Sequence, residues 1–255
     1  MEHDVAGVAV APSPLRRRLK RQLGIDPVML DARLAEIGSG MRSPSGSMLQ
    51  EAGETQLFLW LIQEGWAIGS VNLANGQRFV DRIYRPGDIV GLKDINWNYA
   101  TTNVEAVTDL RGTSIRKSDL VDLLRRDAGF ASGLLAIAML DQVIATDRAR
   151  ANAKMKAPER LLHLLLSLQG RARACGECDR HGWFEMPLTQ RQVADALGIS
   201  TIHANRAFRT LLDEGLLERR DRRYRITRFD EAVARCDWID RDRTVAQDEL
   251  SLMVA

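Results

Sequence analysis

Cysteine is scarce in this chain: Cys175, Cys178 and Cys236 are the only three in 255 residues. An odd number this small builds no disulfide framework, so a reducing compartment is expected. The first 14 residues lack a charged, then apolar leader with a cleavage site, so secretion is not expected. Long hydrophobic runs are missing as well. The longest, Leu134 to Leu140, falls far short of the roughly 20 residues of a membrane span. A cytoplasmic protein with no membrane partner follows. Catalytic signatures are also absent: no nucleophile beside a base, no phosphate-cradling glycine loop and no paired acidic motif stand out, so an enzyme is not expected. His163 falls in a leucine-rich helical stretch and reads as a packed histidine, not a catalyst. Net charge is small, +2, but that sum hides strong local clustering.

The chain has a hydrophobic fraction of 45%, enough to fill the cores of two ordinary domains. Residues 1–14 and 244–255 read as loose tails. Leu15 to Leu23 carries Arg16, Arg17, Arg18, Lys20 and Arg21 and reads as a solvated cationic face on a short helix or arm. Asp26-Pro27 is a helix start, and the helix should run to about Ile37. Short strand-like runs follow over Gln56–Ile62, Gly65–Leu73, Phe79–Tyr84, Asn103–Val107 and Arg111–Ile115. Sharp turns at Asn75-Gly76 and Arg85-Pro86-Gly87-Asp88 punctuate them. Such a series predicts an antiparallel β-roll or barrel. A helix opens at Ser118, and a longer one covers Phe130 to about Lys154. Leu134, Leu135, Ile137, Ala138, Leu140, Ile144 and Ala145 spread over more than one face of it, with Asp141 beside them in the candidate dimer interface. A helix apolar on two sides needs two partners. The strand domain can be one, and a second copy of the same helix is the economical other. Glu159 to Leu168 should form a further helix after Pro158, with Gly170 to Phe184 as a polar connector.

The most informative stretch is Met186 to Thr227. Thr189 caps a helix, Gln192 closes a capping box, and Leu188 can staple onto Val193. Gly198 ends that helix, Ile199 packs inward, and Ser200 caps a second helix from Thr201 to Glu214. On the second helix Ala204, Ala207, Phe208, Leu211 and Leu212 can face a core. Thr201, Ile202, His203, Asn205, Arg206 and Arg209 can face outward. Two helices joined by a tight glycine turn describe a helix-turn-helix, which places the start of its second helix in the DNA major groove. Beyond Gly215, apolar and basic residues flank a charged tip, as in a β-hairpin wing. Arg219, Arg220, Arg222, Arg223 and Arg225 crowd seven positions there, a density that DNA phosphates would neutralise.

The segment Leu188-Thr189-Gln190-Arg191-Gln192-Val193-Ala194-Asp195-Ala196-Leu197-Gly198-Ile199-Ser200, with His203-Ala204-Asn205-Arg206 and Leu211 to Leu217, resembles the DNA-binding domain of the Crp/Fnr regulators. Pro86-Gly87-Asp88 and Gly91 are similar to the turn of that family's cyclic-nucleotide-binding roll. The resemblance implies an α+β chain in three parts: a sensor roll over 25–127, a dimerisation helix over 128–156 and a winged helix-turn-helix over 157–230. It also implies a homodimer on a near-palindromic site in double-stranded DNA, with RNA polymerase as a further partner. Arg206 falls on the family's base-reading arginine and would take a guanine, with Thr201, Ile202, His203 and Asn205 beside it. Ile202 stands where many members carry a glutamate. An aliphatic side chain cannot accept from cytosine but can touch a thymine methyl, so a different target sequence is expected. Thr189, Ser200, Arg209 and the wing arginines are the expected phosphate contacts.

The effector is less legible. Cyclic-nucleotide rolls carry Gly-Glu after the turn and a later Arg-Ser or Arg-Thr, whereas this chain reads Gly91-Leu92-Lys93 and Tyr99-Ala100-Thr101-Thr102-Asn103. A buried phosphate without its cation would be costly, so cyclic AMP is not expected. An iron–sulfur cluster of the family's usual kind would need cysteines in the N-terminal half, which has none. Haem is not expected, because the roll has no histidine and His3 lies in the tail. No cofactor is required by the sequence. Cys175, Cys178 and His181 leave open a zinc- or redox-responsive alternative that lacks a fourth ligand. A degenerate sensor controlled by abundance or a protein partner is the other alternative.

Overall fold

The computed structural model describes residues 12–23 and 28–241. The expected helix start at Asp26-Pro27 and most of both expected tails lie outside these residues. The chain opens with helix α1 (Pro14–Leu23) and α2 (Val28–Ile37). Strands β1 (Gly38–Ser43), β2 (Met48–Gln50), β3 (Phe58–Glu64), β4 (Ala67–Asn72), β5 (Arg78–Tyr84), β6 (Ile89–Val90), β7 (Asn103–Ala106) and β8 (Leu110–Arg116) follow. They pair antiparallel in two four-stranded sheets, in the orders β1-β8-β3-β6 and β2-β7-β4-β5. Ile62, Ala67, Tyr84, Val90, Val104, Ala106 and Leu110 form the core of this roll. The Asn75-Gly76 turn joins β4 to β5 as the sequence predicts, and Leu73 donates to the Gln77 carbonyl across it. Strands β1, β2 and β6 escaped the sequence reading. β1, Gly-Ser-Gly-Met-Arg-Ser, has one apolar side chain and no alternation to find.

Helices α3 (Lys117–Arg126) and α4 (Ala128–Lys154) come next. The Asp127 side chain caps α4 by accepting from the Phe130 amide at 2.8 Å. By length and composition α4 could cross a membrane. Much of its apolar surface instead joins the core of the chain: Phe130, Leu134, Ile137 and Leu140 are buried with residues of α1, α2, α3 and the roll. The faces of α4 therefore divide differently from the expected dimer stripe. Leu134 and Ile137 belong inside the chain, and Asp141 is held in an ion-pair network. Ile144 and Ala145 line a cavity described below. The large apolar side chains that α4 leaves exposed are Leu135, Met139 and Val143, a stripe at intervals of four, with Ala138 half-buried beside it.

Helix α5 (Ala157–Cys175) runs through Gly170, so the expected connector begins later than the sequence suggested. Gly176, at φ 74°, is what ends it. Strand β9 (Phe184–Glu185), helices α6 (Gln190–Leu197) and α7 (Thr201–Asp213), the hairpin β10 (Leu217–Arg220) and β11 (Arg223–Ile226), and helix α8 (Phe229–Arg235) complete the chain. This C-terminal domain does not hang free. Trp66, Ile68 and Val80 of the roll share its hydrophobic core. Asp195 on α6 faces Arg78 on β5 at 3.6 Å.

The basic N-terminal segment departs most from expectation. It is only in part a solvated face: Lys20 and Arg21 are exposed, but α1 buries Leu15 and Leu19, and Arg18 is 0% exposed. Arg18 donates to Asp88 at 2.7 Å and to Asp141 at 2.6 Å. Arg171 of α5 reaches Asp88 at 2.8 Å, and Arg82 of β5 reaches Asp141 at 2.7 Å. The Pro86-Gly87-Asp88 turn thereby holds α1, the roll, α4 and α5 together. Gly87 is required here twice over. Its φ is +85°, and a Cβ would lie 2.8 Å from the Pro14 carbonyl.

Burial alone would raise the Asp88 carboxyl. The guanidiniums of Arg171, Arg18 and Arg82 overcome it and hold the group far below the usual carboxylate range. The stability Asp88 contributes is therefore complete above the ordinary carboxylate pKa and is lost as pH falls below it. Asp88→Asn leaves buried guanidiniums without their anion and should cost about 3–5 kcal/mol in urea unfolding. It should also flatten the acid limb of stability against pH. An unchanged unfolding midpoint would refute this role.

Candidate nucleic-acid interface

The geometry of the C-terminal domain follows from its caps. Thr189 Oγ1 accepts from the Gln192 amide at 3.2 Å, and Gln192 Oε1 accepts from the Thr189 amide at 2.8 Å, which completes the capping box. Leu188 and Val193 lie in one buried cluster, as the staple requires. Gly198 takes the left-handed conformation, φ 64°, that turns the chain between α6 and α7. Ser200 then caps α7 by accepting from the His203 amide at 3.3 Å. Ala204, Ala207, Phe208 and Leu211 are buried; Leu212, expected beside them, is 37% exposed. Thr201, Ile202, His203, Asn205, Arg206 and Arg209 are all exposed. They occupy the free side of a helix whose opposite side is fixed in the core. The capping hydroxyl of Thr189 accepts from a backbone amide and retains a proton to donate, as a phosphate contact needs, whereas Ser200 Oγ also bonds His203 Nδ1 at 2.9 Å.

The wing is more neutralised than its sequence suggests. Arg223 pairs with Asp179 at 2.7 Å and Arg225 with Glu218 at 2.7 Å. Arg220 and Arg225 lie over the Trp183 ring, 4.7 and 5.2 Å from its centroid. Arg219 lies over Tyr224 at 5.6 Å and donates to the Asp221 carbonyl. Arg222 is exposed at the turn, beside Asp221 with its φ of 53°. Intramolecular carboxylates and aromatic faces, not phosphates alone, thus make the crowding tolerable. Arg191 is exposed on α6 and was missed by sequence reasoning.

Two other regions bear on function. In the roll, Asp94 is 0% exposed and accepts from Thr101 at 2.5 Å and from Gln50 at 3.3 Å. Gln56 Nε2 donates to the Gly91 carbonyl at 3.4 Å. Lys93, the one cation near the expected phosphate corner in sequence, is paired with Asp81 on β5. In the connector, Cys175, Cys178 and His181 are not brought together. Cys175 is buried against the Pro86 carbonyl, Cys178 faces the Gln169 carbonyl, and His181 Nε2 accepts from Arg180. Burial pushes the Cys178 thiol up, the opposite of what a reactive thiolate needs. Among the described residues no group of three or more histidine, cysteine or acidic residues could hold a metal ion.

A two-sheet roll, a long helix and a winged helix-turn-helix follow one another in this order. Residues 159–231 match the family model described as a Crp-like helix-turn-helix domain. No curated protein matches the chain. Among solved structures, FixK2 from Bradyrhizobium japonicum matches 82% of this chain and 99% of its own at 19% identity, with a TM-score of 0.71. A CRP-family transcriptional regulator from Thermus thermophilus matches 77% of this chain and 96% of its own at 16% identity, with a TM-score of 0.63. A CooA mutant from Carboxydothermus hydrogenoformans matches 80% and 89% at 16% identity, with a TM-score of 0.63. The chain carries a Crp-like helix-turn-helix domain and has the fold of the Crp/Fnr regulators.

The cap of α6 is directly testable. Thr189→Ala removes an acceptor for an end-of-helix amide and should cost about 1 kcal/mol of stability, measured by thermal or urea unfolding. A loss indistinguishable from zero would show that the capping box carries no weight.

Proposed function

We propose that the protein is a cytoplasmic, homodimeric transcription regulator that reads a near-palindromic DNA site with the first turns of α7. The observation that carries this reading is the exposed set on α7, from Thr201 to Arg209, on a helix locked from behind by Ala204, Ala207, Phe208 and Leu211. Arg206 bonds a guanine through O6 and N7, and Ile202, 65% exposed, meets a thymine methyl. His203 and Asn205 flank them. Thr189, Ser200, Arg209, Arg219, Arg220 and Arg222 hold phosphates, while Arg223 and Arg225 contribute after exchange of Asp179 and Glu218.

Dimerisation joins two copies of α4 through Leu135, Met139 and Val143. Their exposure in the single chain supports it, since an apolar stripe of this kind costs free energy in water. A cyclic nucleotide does not occupy the roll in this reading. A buried Asp94 carboxylate sits in the segment after the Pro-Gly-Asp turn, among amide and hydroxyl partners, and would repel a cyclic phosphate. An N-terminal iron–sulfur cluster is set aside because that half has no cysteine.

Selection and sequencing of DNA fragments retained by the purified protein tests the core of the proposal. Arg206→Ala should relax preference at one position per half-site, a change of about 1–3 kcal/mol there. Arg222→Ala should weaken all sequences alike and lower the salt dependence of binding. No duplex binding at low ionic strength would sink the reading. For the dimer, Met139→Asp puts a charge on the exposed stripe without touching the core. Light scattering should then report a monomer with strongly weakened DNA affinity, and a persisting dimer would relocate the interface.

A further inference from the structure

Away from α7 and the wing, the junction of the two domains holds a cavity of about 130 Å³ between β5, the middle of α4, α5 and the segment after α8. A space of this order holds a body about the size of a benzene ring. Ile144, Leu164, Leu168 and Trp238 make one side of it apolar.

The polar side consists of guanidiniums and carboxylates, and most are already matched. Arg82 pairs with Asp141 at 2.7 Å, Arg171 with Asp88 at 2.8 Å, Arg85 with Glu177 at 2.5 Å and Arg241 with Asp147 at 2.7 Å. Arg148 is different. It donates to the Val80 carbonyl at 2.6 Å and lies over the Phe79 ring at 5.7 Å. Among the described residues it has no carboxylate within ion-pair distance. Burial holds its pKa down to about 10, with Asp81 only partly offsetting the effect. Asp81 is itself engaged by Lys93. A second group is also short of a partner. His163 lines the cavity, is 4% exposed, and its Nε2 makes no hydrogen bond among the described residues. Burial pushes its pKa down to about 4, so the ring is neutral at pH 7.

His163 Nε2 is sealed from the cavity itself, but an unmatched cation beside an apolar wall is what a small organic anion would satisfy. We propose that this cavity binds a small organic acid, with one carboxylate on Arg148 and an aromatic ring or short branched chain against Trp238 and the leucines. The carboxylate accepts from the Arg148 guanidinium. No bond is made or broken. That such an acid acts as an effector rests on the regulator reading above; that it binds does not. The walls come from the roll, α4, the DNA-binding domain and the strap that follows α8. A ligand seated among them stabilises one docking of α6 on β5 and so changes DNA affinity.

Calorimetric titration of the full-length protein with benzoate, isovalerate and benzamide tests the site. Saturable binding of at least one acid at millimolar concentration is expected. Benzamide, which keeps the shape of benzoate without its charge, should bind about tenfold more weakly or less. Arg148→Gln should abolish the difference between benzoate and benzamide. Ala145→Trp, at an exposed residue of the cavity wall, should block all three ligands while leaving the melting temperature in place. The proposal is overturned if neither acid binds, if benzamide equals benzoate, or if Ala145→Trp leaves affinity intact. Acid binding without any DNA binding would remove the regulator reading and leave the site standing.

Discussion

The fold depends on the carboxylate of Asp88. It accepts from the Arg85 amide at 2.8 Å within its own turn, from Arg18 on α1 and from Arg171 on α5. Each guanidinium reaches it from an element that is distant in sequence, so a local turn becomes the meeting point of both domains. Buried ion pairs of this kind contribute little net stability compared with a well-packed apolar core, because desolvation offsets the attraction. Their effect lies in geometry. An apolar contact between the roll and α5 could slide, whereas a carboxylate shared by several guanidiniums has few acceptable positions. The cluster therefore fixes where the DNA-binding domain sits on the roll more than it fixes whether either domain folds.

Legibility in the sequence followed from how local the controlling physics is. The helix-turn-helix could be read in detail because its caps, Thr189, Gln192 and Ser200, act within three residues and its turn needs a glycine at one position. The roll was legible where strands alternate or meet at Asn75-Gly76, and illegible at Gly38–Ser43, whose pairing with β8 is dictated by the partner strand. The basic N-terminal helix misled because composition cannot distinguish a solvated arginine from one facing two aspartates at positions 88 and 141. The α4 stripe was misassigned for a similar reason. Apolar residues mark both the intramolecular and the open faces, and only the packed roll separates Leu134 and Ile137 from Leu135, Met139 and Val143. Gly170 read as a helix end by residue type, yet the helix is held on both sides by burial and continues.

The wing shows how a candidate DNA surface can be built without self-repulsion. Aromatic faces at Trp183 and Tyr224 carry three of its arginines, and Asp179 and Glu218 neutralise two. These partners lie on the connector and on the wing itself, so they orient the guanidiniums before DNA arrives. The acidic partners also lower affinity for any polyanion, since they must be displaced or shared. On a polyanion, a wing of this composition would favour discrimination over tight nonspecific attachment and, in the proposed reading, would leave more of the sequence-dependent burden to α7.

The clasp and the cavity occupy the same junction. Asp88, Asp141, Arg82 and Arg171 belong to both, so a carboxylate entering beside Arg148 would add negative charge a short distance from a cluster whose balance sets the interdomain geometry. α4 carries Asp141 and Arg148 two turns apart on its inner side and Met139 and Val143 on its outer side. A single rigid helix thereby presents the clasp, the cavity and the open apolar stripe. Any displacement of its C-terminal half is felt at all three, and coupling between domain docking and pairing of two chains requires no additional element.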